Sequence, residues 1–98
     1  MERGDYVYIL TNKTKTTLYV GVTSQLKGRI SDHKTKKFNN SFSAKYNVDR
    51  LVYYECISDM EEAIMREKQI KAGSRLLKEA FINKMNPGWD DLFEGLED

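Results

Sequence analysis

One short stretch, DYVYILT at residues 5–11, constrains the fold more than any other. Side chains alternate across an extended strand, so Tyr6, Tyr8 and Leu10 point one way and Val7 and Ile9 the other. Both sets are apolar or aromatic, so the strand has to be covered on both faces. The polar, turn-prone NKTKT follows, and TLYVGV then resumes the pattern. Leu18, Val20 and Val22 fall on one side of this second strand, Tyr19 and Gly21 on the other. Two strands joined by five residues read as a hairpin. A third strand is expected at RLVYYECI, residues 50–57, where β-branched and aromatic residues are dense.

The intervening and following segments carry helical spacing. Thr23 or Ser24 can cap a helix running to about Lys37, with Leu26, Ile30 and His33 on one face. Gly28 weakens that helix by about 1 kcal/mol relative to alanine. KFNNSFSAKYN reads as a polar loop studded with aromatics. Asp59, followed three residues on by Glu62, has the form of a capping box and opens a helix that ends at Gly73. Its apolar stripe is Met60, Ala63, Ile64 and Ile70. Ser74 can cap a last helix, RLLKEAFINKM, with Leu77, Phe81 and Met85 in register, stopped by Asn86-Pro87-Gly88. The order β-β-α-β-α-α predicts an α+β fold, a small three-stranded sheet flanked by helices. Residues 1–89 form the one expected domain, and 90–98 a short acidic tail.

Composition narrows the function classes. No apolar run approaches the roughly 20 residues of a membrane-spanning helix, and the charged start MERGDYVYIL lacks a signal-peptide core. The chain therefore reads as cytoplasmic, with no membrane partner. Cys56 is the single cysteine, which excludes a disulfide framework; in a strand it is expected to be a small buried hydrophobe. The net charge is only +1, but five carboxylates lie in the last nine residues. The remaining body has sixteen bases against ten acids, a balance compatible with a polyanionic partner or with a merely solvated surface.

Three features do not follow from core building. Glu67 lies three residues from both Ile64 and Ile70, inside the stripe that should face the sheet. A carboxylate there either coordinates a cation or lies at an exposed stripe edge, paired with Lys71 one turn on. Arg29 and His33, four apart, share one face of the first helix. Arginine offers a permanently charged fork for phosphate and histidine a proton site near neutrality, although a lone histidine can equally be structural. Tyr8 and Tyr19 sit on adjacent strands, an arrangement that also stabilises ordinary hairpins. Gly21, two residues along from Tyr19, marks a place where a ligand or another chain can approach the backbone. Together these residues suit metal-assisted phosphodiester hydrolysis.

The same residues carry a resemblance. YVY at 6–8, YVG at 19–21, and then Arg29 and His33 resemble the signature of the GIY-YIG nuclease superfamily. Tyr6 stands where the founding pattern has glycine, a substitution familiar in the small bacterial branch. EEAIMREKQIKAGSRLLKEAFINKMNPGWDDL resembles the second half of that short, stand-alone branch, so the likeness spans about residues 5–93. It implies a three-stranded antiparallel sheet between helices and a metal-dependent DNA endonuclease, acting on branched, damaged or single-stranded DNA as in repair. By position Tyr8 and Tyr19 would be the motif tyrosines, one of them the general base. Arg29 would offset transition-state charge, and His33 would shuttle a proton or bind phosphate. Glu67 would hold a single Mg²⁺ or Mn²⁺, an oxygen-seeking cation. Asn86 would match the family's late asparagine. Lys34, Lys36, Lys37, Lys45 and Lys71 are the expected phosphate contacts, giving salt-sensitive and largely non-specific binding. The alternative is a non-catalytic or partner-dependent nucleic-acid-binding module of the same fold. A monomer or weak homodimer is expected, with room for an unknown protein partner.

Overall fold

The doubly apolar first strand occupies the middle of the sheet. In the computed structural model, which describes residues 4–36 and 41–96, β1 (Asp5–Thr11) lies between β2 (Leu18–Thr23) and β3 (Arg50–Ile57). Both pairings are antiparallel. Tyr6, Tyr8 and Leu10 form one face, covered by α1 (Leu26–Thr35) through Leu26 and Ile30. Val7, Ile9 and Val20 form the other, covered by α3 (Met60–Ala72) through Ala63 and Ile70 and by α4 (Arg75–Met85) through Ile82. Val7, Ile9 and Leu10 are wholly buried, each stabilising the fold by about 1.5–3 kcal/mol. The expected order of strands and helices is present. A one-turn helix, α2 (Phe42–Lys45), and a 3₁₀ turn at Leu92–Gly95 add to it.

Pairing with β3 contains a bulge. Ile9 pairs with Tyr53 and Leu10 with Leu51, so Val52 is passed over. As a result Val52 and Tyr53 both join the cluster under α3 and α4, while Leu51 joins the opposite one.

The helix ends show which local signals act. Asp59 and Ser74 cap as expected, accepting from the backbone N–H of Glu62 (2.9 Å) and of Leu77 (3.1 Å). Glu62, however, accepts from the Ser58 hydroxyl, so the box is only half formed. Thr23 does not cap α1, because it is still extended in β2 opposite Tyr6. Its hydroxyl accepts from Gln25 N–H, and the helix starts at Leu26 without a side-chain cap. Lys36 closes α1 in the left-handed conformation, and Lys37 lies outside the described residues.

Burial corrects several sequence expectations. On α3 Ala63 and Ile70 are buried, Met60 and Glu67 are half-buried on the same stripe, and Ile64 is turned outward. On α4 Leu77 and Met85 are exposed, and Phe81 and Ile82 carry the packing. The roll of α4 is held by Arg75, whose guanidinium donates to the Lys15 and Thr16 carbonyls at 2.7 and 2.9 Å. Cys56 is exposed rather than buried, since it lies near the end of an outer strand. Part of the acidic tail segment belongs to the core: Leu92, Phe93 and Leu96 pack on the Tyr6 face. Asp91 fixes them there, accepting from the N–H groups of Leu51 and Phe93 and pairing with Lys34.

Candidate active site

A glycine opposite a tyrosine creates the site. Gly21 pairs with Tyr8 across the hairpin, and a Cβ at position 21 would lie 2.4 Å from Tyr8 Cζ and Oη. The phenol therefore lies flat across β2, in space that any other residue would fill. Gly21 makes room for a tyrosine of its own chain, not directly for an approaching phosphate as expected.

Tyr8 collects the other residues. Its hydroxyl is 3.1 Å from His33 Nε2 on α1 and also hydrogen-bonds Arg29, one turn earlier. Burial raises its pKa to about 12, and the charges of nearby Tyr19 and Glu67 push the same way while Arg29 opposes them. Glu67 acts from α3, on the opposite layer, and reaches this phenol by its field. Tyr19 completes the cluster, its ring centroid 6.3 Å from that of Tyr8 and 5.5 Å from His33. Tyr8, Tyr19, Arg29 and His33 thus come from three elements, β1, β2 and α1, to one place, and Glu67 on α3 acts on it by its charge. His33 is half-buried; burial holds its pKa below the usual 6.5, and the Arg29 charge adds to this against the weaker pull of Asp32. It is a neutral imidazole at pH 7.

Glu67 is the carboxylate whose charge reaches Tyr8. Its side chain is only 16% exposed, and its ion-pair partner among the described residues is Lys71, 61% exposed and 3.7 Å away. That distance is too long for a hydrogen bond, so Lys71 does not occupy the carboxylate, whose oxygens reach solvent and can accept a cation. Among the described residues no group of three His, Cys, Asp or Glu side chains converges. This donor set fits a hard cation of the Mg²⁺ type, which commonly takes one or two carboxylates and completes its shell with water and substrate phosphate.

The remaining expected residues are dispersed. Asn86 is buried and its amide is spent on backbone: Nδ2 donates to the Val52 and Asp90 carbonyls at 3.2 and 2.8 Å, and Oδ1 accepts from Asp90 N–H. It supplies a partner for the carbonyl of the bulged residue and fixes the turn after α4. Replacing Asn86 with alanine should therefore lower unfolding free energy by about 1–3 kcal/mol and leave kcat unchanged below the melting temperature, as thermal unfolding and cleavage assays would register. Lys34 is engaged by Asp91 and the Asp49 carbonyl and lies over the Phe93 ring. Lys36 donates to Asn47 Oδ1 at 2.7 Å. Lys45 lies 5.5 Å from the Tyr46 ring, and Lys71 is mostly exposed. Two aromatics that sequence reasoning left in a loop, Phe42 and Tyr46, extend from Tyr19; their own spacing of four was the available signal.

Known proteins resemble this chain in sequence and fold. Residues 5–83 match the GIY-YIG catalytic domain. The chain belongs to the GIY-YIG family. That is a nuclease family, and within it this chain resembles short single-domain members. A UPF0213 protein of Syntrophus aciditrophicus (strain SB) is 35% identical over 83 residues, covering 85% of this chain and 93% of its own. A UPF0213 protein of Clostridium perfringens (strain 13 / Type A) is 40% identical over 81% of this chain and 83% of its own. The solution NMR structure of a UPF0213 protein from Bacillus halodurans superposes with a TM-score of 0.56 at 28% identity, covering 92% of this GIY-YIG chain and 94% of that one. No helix among the described residues is long and apolar enough to cross a membrane.

Proposed function

We propose that the protein is a divalent-metal-dependent DNA endonuclease. The observation that carries this reading is the Tyr8 phenol, buried across Gly21, hydrogen-bonded to His33 and Arg29, and within the field of Glu67. An arginine can only donate, so Tyr8 Oη accepts from Arg29 and keeps a proton to give to neutral His33. The phenol takes the proton of an attacking water as its own passes to His33 Nε2. The water oxygen then bonds to phosphorus as the opposite P–O ester bond breaks, and the departing oxygen takes a proton from solvent. Arg29 offsets the charge that gathers on the phosphoryl oxygens, and Tyr19 orients the phosphate or the water. Held by Glu67, Mg²⁺ or Mn²⁺ supplies Lewis-acid polarisation of the phosphoryl group.

Of the expected lysines, Lys45 and Lys71 are exposed, which supports weak, salt-sensitive phosphate contact, and we take the protein to act as a monomer or loose dimer. An exposed single thiol, Cys56, suits a reducing compartment, and we place the protein in the cytoplasm. Supercoiled plasmid and branched or damaged duplexes, of the kind met in DNA repair, are the substrates to try with Mg²⁺ and with Mn²⁺. Nicking above an EDTA control is the expected result; none on any substrate would overturn the proposal.

The pH dependence has a definite sign. His33 accepts a proton only while neutral, so kcat should fall as pH drops through its lowered pKa, below 6.5. Tyr8, at about 12, adds no limb near neutrality. Around His33 stand Arg29, Asp32, Tyr8 and Tyr19, of which only Asp32 favours the imidazolium. Because the unfolded chain protonates first, folding stability also declines as pH falls from 6.5 towards the folded value. A pH–rate profile should show the acid limb in wild type and lose it in His33→Gln, on a much lower plateau.

A further inference from the structure

The aromatic side chains of the site do not stop at Tyr19. Phe42 stacks on Tyr19 with ring centroids 6.0 Å apart and planes 26° from parallel. Tyr46 follows at 4.7 Å from Phe42. The inner end of this row is buried and the outer end is not: Tyr8 is 1% exposed, whereas Phe42 is 48% and Tyr46 43% exposed. Core packing does not account for two aromatic rings half in water on a helix of one turn, anchored by Ser41 accepting from Ala44 N–H. Lys45 stands beside Tyr46, with its ammonium 5.5 Å from the ring, where it can meet a phosphate.

We propose that Phe42 and Tyr46 form a stacking subsite for an unpaired nucleobase next to the scissile phosphate. The idea rests on the nuclease reading for what lies beside it, but not for the stacking itself. Every base has a π-face, so aromatic platforms hold nucleic acid without selecting sequence. In a duplex both faces of a base are already covered by neighbours; only a frayed, flipped, flapped or single-stranded nucleotide offers one free. Tyr19 joins the subsite to the catalytic cluster, since it touches both His33 and Phe42. Phosphate chemistry at Tyr8 and Arg29 and base stacking at Phe42 and Tyr46 would then be served by one strand, with Lys45 on its backbone. The subsite makes substrate preference depend on an unpaired base.

Binding without turnover tests this. A labelled oligothymidylate of about twelve nucleotides and an abasic chain of equal length carry the same phosphates but differ in bases. In EDTA, wild type should bind the oligothymidylate about tenfold more tightly than the abasic chain. Phe42→Ala/Tyr46→Ala should lose that difference and bind both as wild type binds the abasic chain. Phe42→Trp should keep the preference. The rings are half exposed, so the double variant should melt close to wild type, and thermal unfolding checks it. Equal affinity of wild type for both chains, or a preference that survives in the double variant, overturns the subsite. A wild type that prefers bases but never cleaves in Mg²⁺ supports the subsite and defeats only the nuclease reading.

Discussion

Glu67→Gln should reduce metal-dependent cleavage by about a thousandfold while leaving the fold intact, the scale on which a metal ion stabilises phosphoryl-transfer charge. Glutamine keeps the volume and one acceptor oxygen of the side chain, so packing between Ala63 and Ile70 is preserved. What disappears is the charge that Tyr8 feels and that a divalent cation needs. The competing explanation is that Glu67 exists to pair with Lys71 on its own helix. Lys71 is 61% exposed and 3.7 Å away, a geometry worth about 0–1 kcal/mol. Lys71→Ala separates the two accounts. If the pair were the purpose of Glu67, both substitutions would have equal and small effects on stability and none on turnover. The expected result is near-wild-type cleavage for Lys71→Ala and near-background cleavage for Glu67→Gln, with similar melting temperatures. Titration calorimetry of Mn²⁺ should show binding lost in Glu67→Gln alone.

Gly21→Ala is the smallest substitution with a large expected effect. A methyl group there would sit 2.4 Å from Tyr8 Cζ and Oη and 2.9 Å from Cε2, well inside contact distance. The ring cannot yield cheaply, because it is 1% exposed and belongs to the core with Leu10, Leu26 and Ile30. Either the phenol swings away from His33 or the hairpin opens. Overpacking of this kind costs about 1–3 kcal/mol of stability. Displacing Tyr8 by about 1 Å should lower kcat about a hundredfold, with KM changing less. Adding Tyr8→Phe to Gly21→Ala should lower kcat little further, since both remove the same Tyr8–His33 contact. A Gly21→Ala protein with wild-type kcat would show that the phenol need not lie across β2.

The sequence alone determined the order of strands and helices. Alternation over DYVYILT forced a strand with two covered faces, and β1 is the central strand. Asp59 and Ser74 were legible as caps because a cap is a contact between residues two or three apart. Tyr8, Tyr19, Arg29, His33 and Glu67 could be named from spacing and resemblance, since strand and helix periods fix which side chains share a face. What each residue touches was not legible. Gly21 looked like an opening for a ligand and proved to be the seat of Tyr8. Asn86 looked like a site residue and is the partner of a bulge in β3. Lys34 looked like a phosphate contact and is committed to Asp91, 57 residues away. Ile64 was expected in the inward stripe of α3 and is turned outward, while Glu67 lies inward, because the roll of a helix is set by what it packs against. The Phe42–Tyr46 row was hidden inside a polar loop for the same reason. Local periodicity follows from backbone geometry within a turn or two; pairing across tens of residues depends on how finished elements pack, and only the folded chain records that.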